Sequence, residues 1–553
     1  MKLYLKLFAA AALTSAATGC SSFLDINTNP NQATSVTPNA LLASALTVTA
    51  ADYTGNNPSF NSYASWVAVY WGKTAVVSGY GEEQTYNYSS SYYAGLWSQT
   101  YDNLNDYNLI QTQGMASGYP YHAAIARIMK VYNFQLLVDE YGDIPYTSAL
   151  QAGTNITPKY DKAADIYKDF IVQLDGAIAD INKANATAGV RTVGAEDIVF
   201  GGNMTKWKQF ANSLKLRTLL RESQTGDATL DSYVKTQMTT LQSAADGFIT
   251  TDVVAQPTYA QVTSQQNPLY NRYAYTAAGS NATERSYQIP TQYVLNQYIV
   301  NKDPRVSQLY TLGSRVVGKD TLSQYVGSIP GESNPPNVVL PLIGSRFRGA
   351  NSPTATGGIF KGFNAPTALM LLSEHLFSKS EAETRGLITS GDAKADYFDG
   401  IKASFLYYYR AGTAAPTALA DATATTAGIT QYNTYIAANP TNGLVDWDSN
   451  TTTTPQGTDL SVTPLTAPRT VSKQEKIIYQ KYLALNSVAS TEAWDDYRRT
   501  AFPKLPAASQ SASPRADKLP TRLLYPQSEI NTNNANIPAG ITQFTKIFWD
   551  SVD

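Results

Sequence analysis

The chain reads as a mainly α-helical protein, a tetratricopeptide-like helical-repeat scaffold with a loop-rich second half. Apolar residues recur at helical spacing in many segments, those segments come as neighbours joined by short links, and strand-like alternation is scarce. Ile125, Ile128, Met129, Tyr132 and Leu136 fit i, i+3, i+4, i+7 and i+11, which is one face of a helix. Ile166, Phe170, Leu174, Ile178 and Ile181 repeat the pattern, as do Trp207, Phe210, Ala211 and Leu214, and later Ile478, Tyr482 and Leu485. The spacing predicts helices over 37–53, 91–113, 120–139, 161–184, 204–223, 366–385, 391–410, 473–488 and 491–499. Short glycine-containing links at 118–120 and 386–391 suggest helix hairpins packed in series. No 34-residue period and no repeated consensus can be followed, so the array is degenerate. It is interrupted near 225–365 and 411–470, where Gly, Pro, Asn, Ser and Thr accumulate.

Composition narrows the function. Lys+Arg 41 against Asp+Glu 43 leaves a net charge of -2, no field for holding a nucleic acid. Tyr stands at 38 against 17 Phe and 7 Trp, and Tyr is the aromatic that can face water. Two histidines, His122 and His375, and one cysteine, Cys20, leave little for metal or thiol chemistry, so no metal and no cofactor is expected.

The N-terminus has the pattern of an address. Residues 1–19 carry Lys2 and Lys6, an apolar run from Leu7 to Leu13, and small residues up to Gly19, as in a secretory signal peptide. Ala17-Thr18-Gly19-Cys20 resembles a bacterial lipobox, with Ala17 where leucine is usual; it implies cleavage before Cys20 and lipidation there, an attachment to outer-membrane lipid. Residues 20–36 are short, polar and interrupted by Pro30, a tether ahead of a domain over 37–553.

Further along, Phe23-Leu24-Asp25-Ile26, Leu96-Trp97, Tyr141-Gly142-Asp143-Ile144-Pro145-Tyr146 and Pro158-Lys159-Tyr160-Asp161 stand in order. Ser373-Glu374-His375-Leu376-Phe377, Ser380-Glu381-Ala382, Trp494, Tyr497-Arg498-Arg499 and Arg522-Leu523-Leu524-Tyr525-Pro526 follow. Together they resemble the SusD/RagB family of nutrient-binding lipoproteins over nearly the whole mature chain. The resemblance implies a tetratricopeptide-type scaffold on the outer leaflet of the outer membrane, facing the cell exterior. It also implies a SusC-like TonB-dependent barrel as partner, to which oligosaccharide or peptide is delivered. The motif residues themselves read as structural: Gly142 suits positive φ at a helix end, and Arg385 suits a last helical turn.

Candidate ligand-binding residues lie in the aromatic stretch from Tyr53 to Tyr101. Trp66, Trp71, Tyr80, Tyr86 and Tyr88 fall there among Gly, Ser, Asn and Glu, and flat apolar faces beside polar side chains suit a sugar ring or an extended peptide. A contact surface for the transporter is the competing reading of the same patch. Enzyme signals are weak. Glycoside hydrolysis needs a carboxylate pair about 5 to 10 Å apart, which spacing cannot identify, and Glu82-Glu83 reads as a solvated loop. No nucleophile elbow, zinc helix or phosphate loop is present, and Asp446 to Asn450 lacks the glycine and glutamate of a calcium loop. Binding without turnover is therefore expected. A glycan-cleaving surface enzyme and a purely structural helical scaffold are its rivals.

Overall fold

The computed structural model describes residues 37–349 and 358–550. The tether and Cys20 lie outside them.

Helices dominate. α1 (Pro38–Thr54) starts with proline in its first turn, where a missing N–H costs nothing. α2 (Phe60–Val67) is closed by a reciprocal capping box between Ser59 and Ser62. A one-turn helix, α3 (Gly81–Thr85), precedes the long α4 (Gly95–Ala116) and α5 (Pro120–Tyr141). Next come α6 (Ala163–Asn185), α7 (Met204–Arg221), capped by Asn203, and α8 (Ala228–Leu241), capped by Asp227. Each of α4 to α7 packs on the next, and α1 lies on α4, the arrangement that short reversing links impose.

The second half holds α9 (Pro268–Tyr273), α10 (Gln292–Val300), α11 (Arg305–Leu309), α12 (Leu372–Thr384), α13 (Ala393–Tyr409) and α14 (Ile429–Ala437). It ends with α15 (Lys473–Leu485), α16 (Ser490–Thr500) and α17 (Gln527–Thr532). α12 packs on α13 and α15, and α16 returns to lie on α2, so the end of the chain closes over its beginning.

The strands are short. They are β1 (Trp71–Lys73), β2 (Ile144–Pro145), β3 (Tyr160–Asp161), β4 (Val253–Ala255), β5 (Gln288–Pro290), β6 (Gly313–Val317), β7 (Asp320–Gln324), β8 (Leu342–Ile343), β9 (Thr367–Met370), β10 (Thr451–Thr452) and β11 (Arg469–Thr470). β1 pairs antiparallel with β5, with Trp71 opposite Pro290, and the largest sheet has the order β7-β6-β8.

The helical scaffold is the one the sequence predicts, with informative differences. The helix expected over 366–385 begins as β9, which pairs with β4 before α12 starts. Thr367-Ala368-Leu369-Met370 is fully buried, and a short apolar run buried on both sides carries no period to tell strand from helix. Regions read as interruptions contain α8, α10 and α14, and α2 sits where no helix is expected. Phe60, Tyr63, Ala64 and Val67 of α2 do fall at i, i+3, i+4 and i+7, but over only eight residues, too short a run to stand out as a helix.

The core is crossed by charge. Arg217 of α7 reaches Glu374 of α12 at 2.7 Å and Glu492 of α16 at 3.2 Å. Arg221 pairs with Asp139 and Glu492, and with Asp495 at 2.8 Å. Arg498 pairs with Asp495 and lies 3.3 Å from Glu140 of α5, and its Nη1 donates to the carbonyls of Asp139 and Thr521. Arg499 holds Glu381 at 2.6 Å and Asp496 at 2.8 Å, and Lys481 of α15 holds Asp496 at 2.8 Å. Breaking one such buried pair by removing a single partner costs about 3–5 kcal/mol, because the other charge is left uncompensated.

The sequence motifs reappear here as joints. The segment after α5 pairs β2 with β3 and is clamped by acids. Asp143 accepts from Ala163 N and Lys162 Nζ, and Asp161 accepts from the N–H groups of Tyr146 and Thr147. Gly142 turns the chain at φ 72, where an added Cβ would stand 2.9 Å from the Arg522 guanidinium.

His375 sits in α12, buried against the Phe248 ring with centroids 4.9 Å apart. Burial, then the charges of Lys379, Lys481 and Arg217, push it from 6.5 to about 3. The folded value is depressed, so the neutral ring stabilises the fold fully above pH 6.5, and this contribution is lost as pH falls from 6.5 towards 3. Between pH 7 and pH 4.5, the stability measured by urea unfolding should therefore drop by roughly 2–3 kcal/mol less in His375→Phe than in the wild type. Equal drops would show that His375 is not an acid-sensitive group of the fold.

Candidate ligand-binding groove

Three segments meet around an open groove of about 980 Å³: the 55–58 link after α1, the stretch from 77 to 95 that contains α3, and the 271–287 stretch that starts in α9. Arg272 ties the first to the third. Its guanidinium is held by both Glu284 oxygens, at 2.7 and 3.1 Å, and donates to the Asn56 carbonyl and, at 3.0 Å, to Asn57 Oδ1. It also lies over the Tyr273 ring, 4.9 Å from the centroid. Such a fork bound on all sides is a rigid girder rather than a free charge.

Tyr80 supplies an aromatic wall. It stands at φ 68, in the left-handed region, immediately before α3. Its ring lies on Trp66, centroids 4.7 Å apart and planes 32° apart. Its hydroxyl accepts from Gln288 Nε2 at 2.6 Å and lies 3.5 Å from Glu284 Oε2. Tyr93 and Tyr287, both half-buried, line the same groove, as do Glu82 and Glu83. Burial pushes the Glu83 carboxyl up to about 7.

The five aromatics singled out from the sequence thus part company. Tyr80 lines the groove, and Trp66, 8% exposed, backs it. Trp71, Tyr86 and Tyr88 do not have the open faces expected of them. Trp71 is 3% exposed; its Nε1 donates to Ser487 Oγ at 2.8 Å, and its ring meets Tyr273 edge-on at 5.0 Å. Next to it, an added Cβ on Gly72 would fall 1.6 Å from Ser328 Oγ, so the strand is pressed against the 328 turn. Tyr86 accepts from Ala508 N at 3.1 Å, and Tyr88 stacks on Tyr92 at 4.4 Å. The physical reason is long-range. Segments near 487 and 508 fold back over glycine-rich chain that looks open in sequence. Glu82-Glu83, expected as a solvated loop, forms the first turn of α3 at the groove wall.

Sequence reasoning missed Arg272 and Glu284, because they lie in a stretch without helical period. An arginine twelve residues before a glutamate gives no local signal of pairing. Among the described residues no helix is long and apolar enough to cross a membrane.

The fold defines a helical-repeat protein in which loops, rather than helix faces, build the groove. The chain belongs to the SusD-like family, whose model, described as starch-binding and associating with the outer membrane, matches residues 30–526. Among solved structures it is similar to a chitin-binding protein at 22% identity and TM-score 0.68, over 93% of this chain and 99% of that one. A SusD homolog from Bacteroides uniformis aligns at 22% identity and TM-score 0.67, over 92% of this chain and 99% of its own. A chitin-binding SusD homolog from Flavobacterium johnsoniae aligns at 20% and 0.65, over 88% and 92%. None of the curated proteins matches the chain.

Trp71→Ala separates wall from core. It should cost about 3–5 kcal/mol of stability in denaturant unfolding, as truncation of a buried tryptophan does. Any ligand bound by the remaining folded fraction should be held with wild-type affinity. Wild-type stability with weakened binding would return Trp71 to the ligand site.

Proposed function

We propose that the protein is a cell-surface glycan-binding lipoprotein. It captures oligosaccharide in the Tyr80 groove without cleaving it and passes it to a SusC-like TonB-dependent transporter in the outer membrane. The observation that carries the reading is Tyr80. Its ring is backed by Trp66 and its hydroxyl is fixed by Gln288, so it offers a flat apolar face in a fixed pose beside the polar groups of Asn56, Arg272 and Glu284. An aromatic face with preset hydrogen-bonding neighbours is what a pyranose ring stacks against. The family description, starch-binding, and the printed names of the chitin-binding structural neighbours support a glycan over a peptide. The lipobox-like Ala17-Thr18-Gly19-Cys20 supports lipidation at Cys20 and attachment to the outer membrane, with the 20–36 tether holding the domain over 37–553 at the exterior face.

Titration calorimetry with maltoheptaose, chitohexaose and a matched peptide panel tests the reading. At least one oligosaccharide should bind and be recovered intact, and Tyr80→Ala should weaken it by roughly 2 kcal/mol, about thirtyfold. New reducing ends that disappear in Glu83→Gln would identify a glycan-cleaving enzyme. No affinity for any member of the panel would identify a structural scaffold.

The anchor is tested separately, by mass spectrometry of the membrane-extracted N-terminus. It should begin at acylated Cys20, and Cys20→Ser should leave the membrane fraction. A Cys20→Ser protein that stays membrane-bound would remove the lipid anchor from the account.

A further inference from the structure

A second groove, of about 1110 Å³, is lined by α10, α11, β6, β7 and the 460–462 stretch. It shares no lining residue with the first. The turn that carries Ile329 and Glu332 lines it, and the same turn lines a cleft of about 20 Å³ between the two, with Glu83 and Gln84 at its rim and the buried Trp66, Trp71 and Tyr86 beneath. Glu83 belongs to that cleft and to the Tyr80 groove alike, and Gln84 Nε2 donates to the Glu332 carbonyl at 3.2 Å. An extended ligand leaving the first groove over α3 would have that one turn to cross before the second.

The two grooves differ in charge. In the first, the single arginine is consumed by Glu284, and Glu82 and Glu83 are additional. In the second, exposed Lys302 and Arg315 make no hydrogen bond or ion pair through their side chains among the described residues. The acids beside them cancel these charges only in part. Asp303 is spent on Arg305 at 2.6 Å, which leaves Glu332, an acceptor of the Ile329 N–H at 2.8 Å, as one acid against two cations. Tyr325, half-buried, and the exposed side chains of Leu312 and Val462 supply apolar surface around the two cations.

We propose that this second groove is a subsite for anionic sugar residues, carboxylated or sulfated, in the same extended glycan whose neutral part lies against Tyr80. The proposal rests on the glycan reading above. An arginine fork and a lysine point charge, both unspent, in a groove with apolar walls match a ring bearing a carboxylate or sulfate. The neutral faces of its neighbours would pack on Tyr325 and Leu312.

The test uses the full chain, titrated with maltoheptaose and chitohexaose, each beside the same oligomer carboxylated at C6. The carboxylated form should bind about fivefold tighter or more at low ionic strength, and the advantage should shrink at about 0.5 M salt. The Lys302→Ala/Arg315→Ala double variant, altered only at exposed positions, should lose that advantage and hold the neutral oligomer as before. Equal affinities in the wild type, or an advantage that survives the double variant, would overturn the subsite. Tighter binding of polyglutamate of matched charge would overturn its assignment to sugars. If neutral oligomers do not bind, while the carboxylated ones bind through Lys302 and Arg315, the subsite stands and the Tyr80 reading fails.

Discussion

The architecture depends on a buried ionic network that ties helices from both halves of the chain to one another. Arg217, Arg221, Arg385, Lys481, Arg498 and Arg499 face Asp139, Glu140, Glu374, Glu381, Glu492, Asp495 and Asp496, so six cations meet seven carboxyl groups. Full ionisation of all seven in a dry core would leave unbalanced charge, and burial instead pushes Asp139 and Glu374 to about 7 and Glu140 well above the carboxylate range. The forked arginines of α7 and α16 keep all their partners on α5, α12 and α16 in this one register of the helices. That register sets where α16 lies against α2, and hence where Trp66 and the wall behind Tyr80 stand.

The residues that carry the family resemblance are largely those of this network and its joints. Glu374, Glu381, Arg498 and Arg499 are its charges, Trp494 packs under the Arg498 guanidinium, and the stretch from Tyr141 to Tyr146 locks α5 to α6. Similarity of this kind reports architecture. It does not mark the groove, because the groove is made of side chains such as Arg272, Glu284 and Tyr287 that belong to none of those motifs.

How far the sequence reached follows from the range of the forces involved. Amphipathic helices such as α6 were legible, since burial on one face writes a period of 3.6 into the chain. α2 carries its period over only eight residues, and β9 is an apolar run buried on both sides without one, so the sequence hides the first and mimics a helix at the second. Within the candidate site Tyr80 was legible by its company of glycine and glutamate. Trp71, Tyr86 and Tyr88 had the same company, and only contacts with Ser487, Ala508 and Tyr92 distinguish them.

Arg272 reaches back 216 residues to Asn56 in the 55–58 link and forward to Glu284. A growing chain finishes the first wall of the groove long before the second exists. A chain that ends before 271–287 lacks the second wall of the groove altogether. It lacks as well the α12 and α16 partners of Arg217 and Arg221, so the helical array and the groove stand or fall together.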